Sequence, residues 1–461
     1  MRAVRGLLLA GVLAAGAACA PMPGPDQPQR LAAGPQVLPP MRSFAPVRVA
    51  APTRSNREMA ADILELGFVM ESGRPIPQFS RFEGPVVVRL TGAVPPGAAE
   101  EAARLVERLR REAGLEVRLG GATAGAGTIT VEFLPRRTMQ RAVPQAACFI
   151  LPRISSWAEF QANRRSARLD WTTLGVREEV AVFIPSDVTP QEVRDCLHEE
   201  VAQAMGPLND LYRLHDSVWN DDNFQTILTG FDMLVLRVWN DPALRVGMGR
   251  EEVAARLPGI LARLNPAGER GTAGPLPRPS PRAWINAIER ALGPGIGRAA
   301  RREAVQSALA IARAEGWSDA RMAFTLFTLG RVAGPQEGDL ALASFLQAGM
   351  IYRRIGAEAH LAHVDMQLAA FALGVGQYDE ALRLVRAAQP AARETQNAAL
   401  LASLLMVEAE ALVRLGRGAE AERLRLDSLG WARYGFGDET RVRARLAEIG
   451  ALAPPLREAR R

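Results

Sequence analysis

A chain of 461 residues with 48% hydrophobic and 23% charged residues is long enough for two or three folded domains, which excludes an intrinsically disordered or collagen-like polymer. Its formal charge of +6 comes wholly from arginine, because no lysine is found among the 56 basic residues, and 50 acids are interleaved with them. The basic runs at Arg108, Arg110 and Arg111, at Arg136 and Arg137, and at Arg298, Arg301 and Arg302 carry no interleaved aromatics, so no nucleic-acid partner is expected.

Residues 1–19 have a basic start (Arg2, Arg5), an apolar run from Leu7 to Ala18 and small residues before a cysteine, the layout of a secretory signal. This run is too short to remain as a membrane span. Gly16-Ala17-Ala18-Cys19 resembles a lipobox, although Gly16 stands where leucine is usual, and this makes Cys19 the candidate lipidation site; ordinary signal cleavage nearby is the alternative. Residues 20–55 are rich in Pro, Gly and Gln and read as an unstructured tether. The expectation is a periplasm-facing protein of the cell envelope, touching a membrane through the Cys19 lipid. In that oxidising compartment Cys148 and Cys196 are expected to pair, with two separate buried thiols as the alternative.

Beyond the tether, Gly84 to Leu90 reads as a strand, Ala98 to Ala113 as a helix, and Glu116 to Leu119 and Thr128 to Leu134 as further strands. A strand from Glu179 to Ile184 leads to a helix with a clear start, where Thr189 is the N-cap, Pro190 the first helical residue and Glu192 the closing member of a capping box. That helix should stop at Gly206-Pro207. Helices are expected from Asn223 to Trp239 and from Glu251 to Leu264, followed by a Pro- and Gly-rich linker at 268–281. From Pro281 onward the pattern is helical. Gly376-x-x-x-Glu380-Ala381 recurs as Gly416-x-x-x-Glu420-Ala421, with a weaker copy at Gly338-x-x-x-Leu342-Ala343. Together with Tyr378, Ala388 and Pro390, these residues resemble the second half of a tetratricopeptide (TPR) unit, and imply stacked helix pairs that present a surface to a protein partner. The fold class is therefore α+β at 56–267, followed by an all-α TPR-like repeat domain at 282–450 and a tail at 451–461.

The richest polar cluster lies on the helix that begins at Pro190. His198-Glu199 opens like the zinc-binding H-E-x-x-H, but the second ligand position is Ala202. Shifted by one residue, Glu199-Glu200-x-x-Gln203-x-x-Gly206-x-x-Asn209 has the spacing of the metzincin motif H-E-x-x-H-x-x-G-x-x-H. Glu200 stands at the base position, and Glu199, Gln203 and Asn209 stand where the three histidines would be. Such oxygen ligands suit calcium or no metal better than zinc. His198 and His215 are alternative ligands, and Met233 is a candidate for the methionine beneath a metzincin metal, although core and cap roles are commoner for Met233 and Asp232. Asn220-Asp221-Asp222-Asn223 reads first as a helix cap and second as a cation loop, while His360 and His363 read as an exposed helix face. The order of elements is that of the upper half of a zincin. The resulting expectation is a degenerate, metzincin-like binding domain with no resident cofactor, beside the alternative of a divalent-metal peptidase in which Glu200 is the base.

Arg81-Phe82-Glu83-Gly84-Pro85-Val86, the Cys196 to Asp210 cluster, Asn220-Asp221-Asp222, Leu228-Thr-Gly-Phe-Asp232 and Asp427-Ser-Leu-Gly-Trp-Ala-Arg-Tyr-Gly-Phe436 together resemble the proteobacterial lipoprotein family named for domain of unknown function 2927. The resemblance runs from about Asn56 to Leu452. It implies an envelope location and no established activity.

Overall fold

The computed structural model describes residues 38–454, apart from 48, 122–123, 272–275 and 335–336. Cys19 and the signal-like segment lie outside the described residues.

The chain opens with α1 (Asn56–Phe68), which starts at a Ser55/Glu58 capping box. Then come β1 (Val86–Gly92), α2 (Ala98–Glu112), β2 (Val117–Leu119), β3 (Gly127–Leu134), α3 (Arg136–Ala142), β4 (Phe149–Pro152), α4 (Trp157–Asn163) and β5 (Glu179–Pro185). They build one mixed sheet in the order β2-β1-β3-β5-β4, parallel except for β4, which runs antiparallel to β5 at the edge. The inner strand β5, between β3 and the edge strand β4, is buried on both faces. Val180, Val182 and Ile184 enter the main core, while Ala181 and Phe183 meet Met139, Trp157 and Phe160 on the other side, as a period of two requires. The main core is closed by α1, α2, α5 (Pro190–Met205), α6 (Gly230–Trp239) and α7 (Arg250–Leu264).

Two expectations need correction here. The helix expected from Asn223 begins only at Gly230, where Thr229 and Asp232 form the capping box; residues 220–224 instead make Asx turns, with Asp222 N–H donating to Asn220 Oδ1 and Phe224 N–H to Asp222 Oδ1. In addition, the described structure begins at residue 38, inside the segment 20–55 expected as an unstructured tether. Residues 38–47 form an extended strap along the repeats, where Phe44 lies 4.4 Å from the Trp431 ring and Arg42 pairs with Asp427 at 2.6 Å. Arg433 Nη1 donates to the Pro39 carbonyl and Gln396 Nε2 to that of Ala45. With no periodicity and three prolines among its ten residues, a strap held by partners hundreds of positions away carries no local signal.

The helical region comprises α8 (Arg282–Leu292), α9 (Arg298–Ala314), α10 (Ala320–Val332), α11 (Gly338–Ile355), α12 (Glu358–Gly374), α13 (Tyr378–Glu394), α14 (Ala398–Arg414), α15 (Gly418–Phe436) and α16 (Glu439–Leu452). Gly376 and Gly416, both at positive φ, make the short turns of the hairpins α12–α13 and α14–α15, which fits the expected repeats. Alanines such as Ala369, Ala381, Ala388 and Ala402 at the contacts let these helices lie close. Among the described residues no helix is long and apolar enough to cross a membrane.

The two halves share apolar packing. Tyr212 and Phe224 from the loop between α5 and α6 enter a cluster with Trp284, Phe324 and Phe327. Around it, His360 Nε2 meets Asp222 Oδ2 at 2.6 Å, Thr226 Oγ1 donates to the Thr395 carbonyl, and Gln191 Nε2 donates to Asn397 Oδ1. The string Asp427 to Phe436 lies at the same junction. Arg433 holds the strap, Tyr434 donates to Glu101 of α2, and a Cβ at Gly435 would overlap the backbone of Ala399.

Candidate functional site: an acidic cleft beside an edge strand

The capping box at Thr189/Glu192, with Pro190 in the first turn, fixes where α5 starts and therefore which side chains face outward. At its far end Arg177 Nη1 donates to the carbonyls of Gln203 and Ala204, and its Nε reaches Ser80 Oγ. Arg177 thus satisfies carbonyls that the helix end leaves open. It does so fully buried, which lowers its guanidinium to about 9. The disulfide between Cys148 and Cys196 ties the start of β4 to α5, one turn before Glu199 and Glu200.

These elements border a cleft of about 620 Å³. Its lining includes Glu199, Glu200 and Gln203 from α5 and Phe149, Ile150, Leu151, Phe160 and Trp171 from β4 and its surroundings. Asp210 lines the cleft as a buried residue, and the more exposed Glu71, Asp221 and Asn223 stand at its mouth. Gln203 Nε2 donates to Asp210 Oδ2 at 3.1 Å, Asp210 Oδ1 is buried without a donor, and the Glu71 carboxyl lies within hydrogen-bond reach of Gln203 and Asp210. Glu200 is 5% exposed, and among the described residues no group donates to it.

The carboxyls raise one another. Burial, then Glu199 and Glu71, holds Glu200 well above the usual range. Burial followed by Asp221, Glu71 and Asp195 pushes Glu199 up to about 8. Asp221 is pushed up to about 7 by burial, Glu71, Glu289 and Asp222, against the pull of Arg282. Asp210 and Glu71 are raised as well, burial again leading in each.

The other residues singled out in the sequence lie elsewhere. His198 faces away from the cleft and lines a second cavity with Arg104, Arg108 and Arg194. Its Nδ1 accepts the Leu228 N–H at 3.1 Å, and burial, with those arginines, holds it well below its usual range. Asn209 Nδ2 donates to the Glu65 carbonyl of α1, and the neighbouring Arg213 pairs with Asp62 and Glu65. His215 faces His360 edge-on, and His363 stacks on Phe224 at 4.3 Å. His360 is fully buried, so the pair expected on an exposed helix face is packed at the junction instead. Met233 is core, and Asp232 accepts from Ser217, Val218 and Thr229. Of the predicted set, the structure therefore brings Glu199, Glu200 and Gln203 together. It adds Glu71, Asp210 and Asp221, of which Glu71 gave no signal in its own sequence neighbourhood. Among the described residues, no three His, Cys, Asp or Glu side chains are gathered as they would be around one metal ion.

A family model described as protein of unknown function (DUF2927) matches residues 56–259, from α1 into α7, and takes in every residue that lines the cleft. The match ends before the repeats, so the Asp427 to Phe436 string lies outside it. No curated protein and no solved structure matches the chain. Residues 56–259 of this chain belong to the DUF2927 family of proteins of unknown function.

Proposed function

We propose that this is an exported protein of the cell envelope, anchored through a lipid on Cys19, whose α+β domain is a degenerate metalloprotease-like module that binds polypeptide without cleaving it. The observation that carries this reading is the polar wall of the cleft, which offers carboxyls and one amide while His198 is turned to the Leu228 N–H. Catalytic zinc needs imidazole or thiolate ligands to hold it and to lower the pKa of its water. Two further features support binding. β4 is paired on one side only and borders the cleft, so an extended segment has an edge to pair with. On α11, Leu342, Leu346 and Met350 form an exposed stripe at helical spacing, suited to a protein partner of the repeats.

Elemental analysis of the purified protein, dialysed without chelator, together with a peptide-library cleavage assay, tests the proposal. The expected result is no stoichiometric transition metal and no cleavage. Bound zinc with cleavage abolished by Glu200→Gln would establish the peptidase alternative instead, with Glu200 as base and a ligand set still to be found.

A further inference from the structure

Five carboxyl groups from separate segments converge on the cleft: Glu71 after α1, Glu199 and Glu200 on α5, and Asp210 and Asp221 on the loop that follows. Among the described residues neither Arg nor His lines the cavity, and Arg282, whose charge acts on Glu71 and Asp221, is engaged with the Glu71 carbonyl and with Glu289. A buried carboxylate without a donor costs several kcal/mol unless it is protonated or meets a positive charge. Asp210, with one buried oxygen unpartnered, is in that position, and Glu200, 5% exposed on the same cleft, has only carboxyls for charged neighbours.

From this arrangement we infer that the cleft receives a lysine or arginine side chain of an extended polypeptide, with Glu200, Glu199 and Asp210 as its counter-charges and Glu71 and Asp221 at the mouth. This rests on the polypeptide-binding reading above and names the chemistry of the bound segment. The carboxyls are spread over the walls of a cavity far larger than one ion rather than gathered in a coordination shell. Phe149, Ile150, Leu151 and Trp171 line the same cavity. A long basic side chain matches both kinds of lining, because its hydrocarbon stem packs on apolar surface while its charged end meets acid.

Binding should also release protons. At neutral pH Glu199, raised to about 8, is mostly protonated and Asp221, raised to about 7, is about half protonated, beside the raised carboxyls of Glu71, Glu200 and Asp210. Glu289, Asp222 and Asp195 add to the repulsion from adjoining elements, and Arg282 opposes it. A cation favours the ionised forms, so affinity should rise between about pH 6 and about pH 8.

The test is titration calorimetry of the full chain with two blocked peptides of alanine and valine, one with a central lysine and the other with norleucine at that position. The lysine peptide is expected to bind at least about tenfold more tightly, with a heat that depends on the buffer's ionisation enthalpy as protons leave. Replacing both Glu199→Gln and Glu200→Gln should bring it down to the norleucine level, and Asp221→Asn, on a partly exposed loop, should weaken it in the same direction. Equal binding of the two peptides would overturn the cationic assignment while leaving polypeptide binding in place. Binding of neither would overturn both. Lysine-peptide binding that disappears with chelator, or that calcium or manganese chloride alone displaces, would also overturn the assignment and make the carboxyls a metal site.

Discussion

Glu200 sits between two requirements, one from the helix that carries it and one from the cleft it faces. Position 200 falls on the buried side of α5, yet the side chain there is a carboxyl group whose closest charged neighbours are other carboxyls. Such groups are most easily held protonated, and linkage then fixes how stability follows pH. The folded-state values of Glu199 and Asp221, about 8 and about 7, lie above those of the unfolded chain. Their contribution is therefore fully present below the ordinary carboxyl range near about 4 and is lost as pH rises through the folded values. The thermal midpoint should fall from about pH 5 to about pH 8.5, and the Glu199→Gln, Glu200→Gln double variant should show a flatter profile and a higher midpoint at the alkaline end. A profile that rises over that interval would mean that the carboxyls are ionised and partnered in the fold.

At the scale of elements, the cleft exists because α5 and β4 are kept side by side, and the disulfide is the covalent part of that restraint. It closes a loop of 48 residues, for which chain entropy predicts about 4 kcal/mol of stabilisation, an upper figure because native bridges often deliver less. Replacing Cys148 and Cys196 with serine should lower the urea midpoint measurably, and it should weaken peptide binding more than an equal destabilisation placed in the repeats. An unchanged midpoint would show that packing alone positions β4. The capping box of α5 was legible in the sequence because N-caps are local, four residues deciding a helix start. The strand β4 was not, since Phe149-Ile-Leu-Pro152 is too short to show alternation and is defined by pairing with β5.

Across the whole molecule, the segment between α5 and α6 couples the cleft to the repeats. Asp221 and Asn223 line the cleft, while Asp222 and Phe224 between and beside them face His360 and Phe327. Phe224→Ala should cost about 3 kcal/mol, the usual penalty for emptying a packed aromatic site, read as a shift in denaturant midpoint for both halves together. Deleting residues from Pro281 onward should leave Tyr212 and Phe224 bare and Asp222 without its histidine, so the remaining domain is expected to aggregate on size exclusion. A soluble fragment with one sharp unfolding transition would show that the junction is a docking contact rather than shared core.

What the sequence determined by itself is whatever depends on neighbours along the chain: the start of α5 at Thr189, the Glu199, Glu200 and Gln203 face, and the glycine-turned hairpins at Gly376 and Gly416. The Cys148 and Cys196 pairing also followed, from cysteine count and compartment rather than from geometry. The tertiary structure decided the rest. It turned His198 and Asn209 away from the cleft, drew Glu71 and Asp210 into it, and laid residues 38–47 along the repeats. These outcomes are set by which distant backbone groups claim each side chain, as the Leu228 N–H claims His198 and the Glu65 carbonyl claims Asn209. Spacing along one helix holds no information about donors that arrive from another.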